Sequence, residues 1–139
     1  MSYTIEGKIL WSRIFKPNDS FHKAMYSLYL TTDDKTMLRL AEKEIKIVSV
    51  EDHKNEKIFC VKISCDAEYA DQELPPPPVF DKEQQPISLH AEIPNGLKVK
   101  VKFDLVKGEG FNFGKSFMRL KAVMLLEDLP FPFDNVESF

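Results

Sequence analysis

Positively charged side chains recur at alternate positions late in the chain, a spacing that suits phosphate binding. Residues 98–121 hold seven cations against two acids. Lys98, Lys100 and Lys102 follow a period of two, so they share one face of a β-strand while the apolar residues between them face a core. Arg119 and Lys121 repeat this spacing. Such a face can neutralise the phosphates of a nucleic acid, and the alternative is an ordinary solvated sheet face.

Aromatic residues supply the second component of a single-strand binding site, because bases stack on aromatic rings. Trp11, Arg13 and Phe15 lie at i, i+2 and i+4, which places them on one face of a strand. Tyr26 and Tyr29 are three residues apart and therefore point to opposite faces. We expect one of these two tyrosines, not both, to meet a ligand.

Each aromatic residue also has a structural interpretation. A lone tryptophan such as Trp11 is often a core residue in a small β domain. Phe59 and Phe103 alternate with polar residues, and we predict that both lie in the core. Phe111 and Phe113 lie in a glycine-flanked loop with Lys115, where they would either stack on bases or anchor the loop.

The last thirteen residues are acidic and rich in phenylalanine. They contain four carboxylates, no Lys or Arg, and three Phe residues, of which Phe139 is terminal. The chain carries a net charge of −3, but 19 cations face 18 acids once the acids of this segment are removed. Local charge matters more for binding than the total. We expect this tail, chiefly Asp134, Glu137 and Phe139, to contact protein partners and, more weakly, to screen a basic surface.

The sequence argues against an enzyme. His90-Ala91-Glu92 has the H-x-E spacing of zinc deaminases, but no Cys-x-x-Cys follows. Cys60 and Cys65 are five residues apart, an odd spacing that opposes a disulfide on one strand and does not match a zinc site. We predict no catalytic residues, no metal and no cofactor. No membrane span or secretory signal is evident, and two unpaired cysteines favour a reduced, cytoplasmic location.

The elements that would position these residues are mainly strands. Short β-branched and aromatic runs predict six of them, at Glu6–Ile14, Ala24–Thr32, Ile45–Val50, Lys57–Cys65, Leu97–Lys107 and Phe117–Glu127. Asp33–Glu44 suits either a short helix or a strand and turn. Pro75–Pro78 is a stiff polyproline segment within an acidic loop; it is interpreted as a connector rather than a ligand for a proline-binding domain.

This pattern predicts an OB-fold-like Greek-key β-barrel with long loops, one short helix at most and a flexible C-terminal tail. We place the domain at residues 1–126 and the tail at residues 127–139. Pro94-Asn95-Gly96 predicts a turn before the basic strand, with Asn95-Gly96 suited to positive φ.

The sequence resembles the OB-fold single-stranded DNA-binding proteins of tailed bacteriophages. Three blocks carry the likeness: Gly7–Pro17 with Tyr26–Leu30, Pro76–Asp81, and Ile93–Leu129. The last block contains an asparagine-glycine turn, a basic strand, a glycine loop and a closing strand in the family's order. Leu97 stands where a serine is expected after Gly96, which leaves the turn intact, and the tail has fewer acids than strongly acidic relatives.

The resemblance implies binding to single strands in phage DNA replication, recombination and repair, within the host cytoplasm. It also implies replication and recombination proteins as partners of the tail, and it allows dimerisation. Two other functions fit the residues: a β-barrel protein-interaction or virion-assembly module, and an RNA-binding barrel.

Overall fold

A computed structural model describes residues 2–18, 24–51, 54–106 and 116–129. Within these ranges the chain forms one α-helix and ten β-strands, most of them short. Their bounds are β1 Ser2–Asn18, β2 Met25–Thr31, α1 Asp34–Glu42, β3 Val48–Glu51, β4 Lys57–Asp66, β5 Glu68–Tyr69, β6 Gln72–Glu73, β7 Val79–Phe80, β8 Pro86–Ile87, β9 Lys98–Val106 and β10 Phe117–Leu125. No helix in the described residues is long and apolar enough to cross a membrane.

Five of the strands close a barrel because β1 pairs with a different neighbour along each of its halves. Residues 2–8 of β1 pair antiparallel with β9, and residues 8–18 pair antiparallel with β2. β2 then pairs with β4, and β10 pairs antiparallel with β9. A parallel contact between β4 and β10 joins the two ends. The predicted OB-like barrel is confirmed.

The core follows from the alternation seen in the sequence. Val99, Val101 and Phe103 on β9 are buried, whereas the alternating Lys98 and Lys102 are exposed and Lys100 is half-buried. Ile9, Leu28, Ile63 and other aliphatic side chains from the remaining strands fill the same interior. Burying this apolar surface is the main favourable contribution to folding.

Gly7 lies where β1 leaves β9 and joins β2, and the backbones approach closely there. A Cβ added at Gly7 would lie 2.3 Å from the carbonyl oxygen of Thr31, so a larger residue requires the two strands to separate. Glycine is therefore needed for packing at this close approach of β1 and β2.

Replacing Gly7 by alanine should lower the free energy of unfolding by about 1–3 kcal/mol, the usual range for overpacking. Thermal unfolding of Gly7→Ala would measure the effect, with Thr4→Ala at an exposed position of the same strand as the control. An unchanged melting temperature would show that β1 and β2 separate here without cost.

Asp33–Glu44 contains a helix, which resolves the alternative left open by the sequence. The Asp33 carboxylate caps α1 by accepting a hydrogen bond of 2.7 Å from the amide of Thr36. This bond lowers the pKa of Asp33. Leu40 is the buried residue of the helix and joins the barrel core.

Two sequence predictions need correction. Ile45 forms a single bridge to Ser116, and the regular strand begins at Val48. Phe59, which was predicted to lie in the core, is 67% exposed. The paired register of β4 with β2 ends at Val61, so Phe59 lies beyond the part of β4 that covers the core. The prediction of a core position is confirmed for Phe103, which is 4% exposed.

Candidate nucleic-acid interface

A β-bulge in β1 determines which side chains reach the outside of the barrel. Leu10 pairs with Tyr29 and Arg13 with Ser27, so three steps along β1 match two along β2. Trp11 occupies the bulge with φ of 48° and is 43% exposed. Such an extra residue reverses the alternation of inner and outer positions on the strand.

Beyond the bulge, the odd-numbered residues of β1 face outward. Ser12 and Ile14 are buried, whereas Arg13 and Phe15 are exposed. Phe15 is 38% exposed. The residues of the predicted Trp11, Arg13 and Phe15 set are therefore all accessible from outside the barrel.

Beyond the bulge, one edge of β1 pairs with β2. Its other edge forms hydrogen bonds with the segment that precedes β9. The amide of Trp11 donates to Asn95 Oδ1 at 2.8 Å. Ser12 Oγ accepts from the amide of Ile93 at 3.1 Å and donates to its carbonyl oxygen at 3.2 Å. The predicted turn at Asn95-Gly96 thus also fixes the bulge, with Gly96 at φ 92°.

Glu92 forms the largest group of these contacts. Its Oε1 accepts from the amides of Ile14 at 2.8 Å and Phe15 at 2.9 Å, and its Oε2 accepts from the amide of Lys16 at 2.9 Å. Hydrogen bonds to a charged acceptor are among the stronger ones in proteins. In the sequence, Glu92 was notable only as part of an H-x-E pattern, and no local signal shows its role as a strand anchor.

An aligned row of residues crosses four strands on the outer side. Arg13 pairs with Ser27, Ser27 with Ser64, and Ser64 with Arg119, which is itself paired with Asp104. Arg13 and Arg119 are exposed. Three strand spacings of about 4.8 Å separate the two arginines, roughly 14 Å in all. Between these cations lie two small serines, Ser27, which is buried, and Ser64, which is half-buried.

The neighbouring row adds residues that sequence reasoning missed. Lys62, Tyr29 and Leu10 are aligned on β4, β2 and β1. Lys62 is exposed, and Tyr29 is half-buried. Phe117 directly precedes the Met118 that pairs with Ile63, so it lies beside Lys62, and it is 39% exposed. The alternation within Lys57–Asp66 was the signal that could have identified Lys62.

Tyr26 belongs to the core, which corrects its predicted role in stacking. It is 7% exposed, and its hydroxyl group donates to the carbonyl oxygen of Leu74 at 3.4 Å. Burial raises the pKa of this hydroxyl, and the nearby Cys65 and Glu73 side chains act in the same direction. A ring packed in this way has no free face for a base, so Tyr29 is the tyrosine that remains accessible.

The basic strand β9 lies on the other half of the barrel. Lys98 pairs with Lys8 and Lys100 with Glu6, on the part of β1 that precedes the bulge. Lys100 Nζ is 3.6 Å from Glu6 Oε1. The structure therefore separates Lys98, Lys100 and Lys102 from the row that contains Arg13, because each half of β1 has a different partner strand.

Lys121 connects these two regions. It occupies a bulge in β10, between Leu120 and Ala122, and its Nζ is 3.7 Å from Asp104 Oδ2. A 2.7 Å hydrogen bond from the Ser2 hydroxyl, helped by the Lys121 ammonium, lowers the pKa of Asp104. Lys121 thus has a carboxylate beside it at one end of the arginine row.

The remaining candidates lie outside the described residues: Phe111, Phe113, Lys115, Asp134, Glu137 and Phe139. The first residues of the predicted tail, 127–129, are described, and they contact the barrel. Glu127 Oε1 accepts from the amide of Lys98 at 2.7 Å, Asp128 Oδ1 is 3.2 Å from Lys82 Nζ, and Leu129 is 9% exposed.

In the described ranges, no group of three His, Cys, Asp or Glu residues is placed to hold a metal ion.

Comparison of the sequence with family models and with curated proteins gives no match. Comparison of the structure does. The chain is similar to gp2.5, a single-stranded DNA-binding protein encoded by bacteriophage T7, with 20% identity, coverage of 95% of this chain and 89% of that one, and a TM-score of 0.68. The single-stranded DNA-binding protein of bacteriophage Enc34 is 17% identical over 98% of this chain and 87% of that one, with a TM-score of 0.62.

A third structure shows the Enc34 protein in complex with single-stranded DNA, at 14% identity and a TM-score of 0.62. It covers 94% of this chain and 89% of the Enc34 chain. Each similarity extends over nearly the whole length of both compared chains, so it concerns the complete barrel rather than a shared fragment. The chain therefore has the fold of these phage single-stranded DNA-binding proteins.

Proposed function

We propose that the chain is a member of the phage single-stranded DNA-binding proteins and binds single strands without sequence preference and without catalysis. The observation that carries the proposal is the outer surface formed by β1 beyond the bulge, β2, β4 and β10, here called the binding face. It combines accessible aromatic rings with exposed cations: Trp11, Arg13, Phe15, Tyr29, Lys62, Phe117, Arg119 and Lys121.

The composition of the binding face fits a single strand better than a duplex. Rings that are open to solvent can stack on unpaired bases, and this stacking contributes about 1–3 kcal/mol per base. Every base offers a ring face, so stacking does not select a sequence. The cations between the rings would neutralise the phosphates of the same strand.

The direct test is a titration of the full chain with oligo-dT, followed through the fluorescence of Trp11, the single tryptophan. We expect a saturable change whose midpoint moves to higher concentration as salt is added. No saturable change at low salt would contradict the proposal and favour a protein-interaction module. The same titration with an RNA oligomer separates DNA binding from RNA binding.

The salt dependence should also identify the surface that is used. Four cations on the binding face predict a slope of about −3 for log K against log salt, from about 0.7 per phosphate contact. Arg13→Gln should reduce its magnitude by about 0.7, because one contact is lost. Lys98→Gln, an exposed change on the other half of the barrel, is the matched control. A smaller slope for the control variant, with an unchanged slope for Arg13→Gln, would assign binding to the basic strand β9.

We propose further that this protein acts in phage DNA replication, recombination and repair in the host cytoplasm, and that its tail contacts partner proteins through Asp134, Glu137 and Phe139. Self-association as a dimer belongs to the same proposal. The tail carries two more carboxylates, Glu127 and Asp128, but these contact the barrel. A truncation after Leu129 therefore removes residues 130–139 of the tail and leaves those contacts in place.

This truncation should leave oligo-dT binding intact or tighter and abolish the capture of replication proteins. Sedimentation of both forms measures self-association. Weaker DNA binding by the truncated chain would contradict a role for the tail in screening the basic surface.

A further inference from the structure

An uncharged groove lies at the end of the binding face. It occupies about 300 Å³ beside the last part of β1, between Phe15 on one side and the polyproline segment on the other. We propose that this groove takes up one unstacked base of the bound strand, an inference that rests on the proposed function. The base would be held between Phe15, the rings of Pro76 and Pro78, and the segment Ser88–Leu89.

The chemistry of the walls favours a base over a phosphate. Pro76, Pro78, Leu89 and Phe15 present carbon atoms, and none of the residues that line the groove is charged. Moving the flat face of a base from water into such a site is favourable, whereas a phosphate would lose its hydration without a counter-charge. Ser88 is exposed and provides a hydroxyl group at the edge, where a base has hydrogen-bonding groups.

The position of the groove gives the second argument. Phe15 belongs both to the binding face and to the groove wall, so a strand that leaves Arg13 along β1 reaches the groove next. The Lys16 ammonium lies 6.0 Å from the centre of the Phe15 ring and is exposed. A cation outside the groove and uncharged walls inside it match a nucleotide whose phosphate stays in solvent while its base enters.

The walls are fixed before binding. Glu92 holds the amide of Phe15 at 2.9 Å, and polyproline segments are stiff. Immediately after the prolines, Val79 pairs with Val123 of β10, which ties that wall to the barrel. A site that is already formed loses little conformational entropy when its ligand binds.

The experiment uses the full chain and oligo-dT that carries the photoreactive base 4-thiothymine at one position at a time. Irradiation should attach one position, near an end of the bound stretch, to the peptide that contains residues 76–89. Ser88→Leu fills the groove with an aliphatic side chain that cannot stack on a base. It should weaken binding at least about fivefold, the loss of one stacked base, and abolish this cross-link.

Ala41→Leu, an equally exposed site on α1, is the matched control and should bind as the unchanged protein does. The groove assignment fails if oligo-dT binds and alters Trp11 fluorescence while no cross-link reaches residues 76–89 and Ser88→Leu binds normally. That outcome would leave the proposed function standing and point to a protein as the occupant. Failure of the unchanged chain to bind oligo-dT would overturn both proposals.

Discussion

Replacing Trp11 by alanine should weaken the binding of oligo-dT by about 5- to 150-fold, which corresponds to the 1–3 kcal/mol expected for one stacked base. Trp11 is 43% exposed at the bulge where the β1 part of the binding face begins. Its ring is thus open to a ligand, and it is the largest aromatic surface on that face. Alanine would experience the same unfavourable φ of 48°, so the change removes the ring without adding backbone strain.

The measurement should use the anisotropy of a labelled oligonucleotide, because the variant has no tryptophan. Trp11→Phe keeps a smaller ring and should retain part of the affinity. Tyr69→Ala removes an aromatic ring that is 70% exposed on β5, outside the binding face, and is the matched control. Equal affinity of Trp11→Ala and Tyr69→Ala would show that Trp11 does not stack on a base.

Replacing Glu92 by alanine should lower the free energy of unfolding by about 3 kcal/mol. This carboxylate accepts hydrogen bonds from the amides of Ile14, Phe15 and Lys16. Each bond to a charged group contributes about 1.5–3 kcal/mol, and water will replace part of this at a half-buried site. Because these amides position Phe15, we also expect weaker binding of oligo-dT.

Denaturant unfolding of two further variants tests the cause. Glu92→Gln keeps an oxygen that can accept from Ile14 and Phe15, but its NH₂ group cannot accept from Lys16, so its loss should be smaller. Glu83→Ala changes an exposed carboxylate in the turn before β8 and should have little effect. Equal stability of Glu92→Ala and Glu83→Ala would mean that water satisfies these amides fully.

Much of the fold was predictable because strand periodicity is a local property. The alternation in residues 98–105 correctly predicted that Val99, Val101 and Phe103 are buried, although Leu105 on the same face is only half-buried. The same logic placed Tyr26 and Tyr29 on opposite faces, whereas Arg13 is accessible because the bulge at Trp11 reverses the alternation of β1. The turn at Asn95-Gly96 was also evident, because asparagine-glycine pairs favour positive φ.

The candidate site depended on contacts that no local pattern shows. Glu92 lies 77 positions from Phe15, and nothing near either residue indicates that they meet. Phe59 alternates like a core residue, yet it is exposed, at the end of β4 that pairs with β3 and no longer with β2. Exposure at such positions is decided by where the neighbouring strand ends.

The sequence by itself determined a mainly β barrel, the faces of its regular strands, and a supply of cations and rings suited to single strands. Only the tertiary structure decided which of them share a surface. The two halves of β1 have different neighbours, which separates Lys98 from Arg13 and brings Arg13 into line with Arg119. Side-chain alternation depends on adjacent residues, whereas strand register and barrel closure depend on residues far apart in the chain.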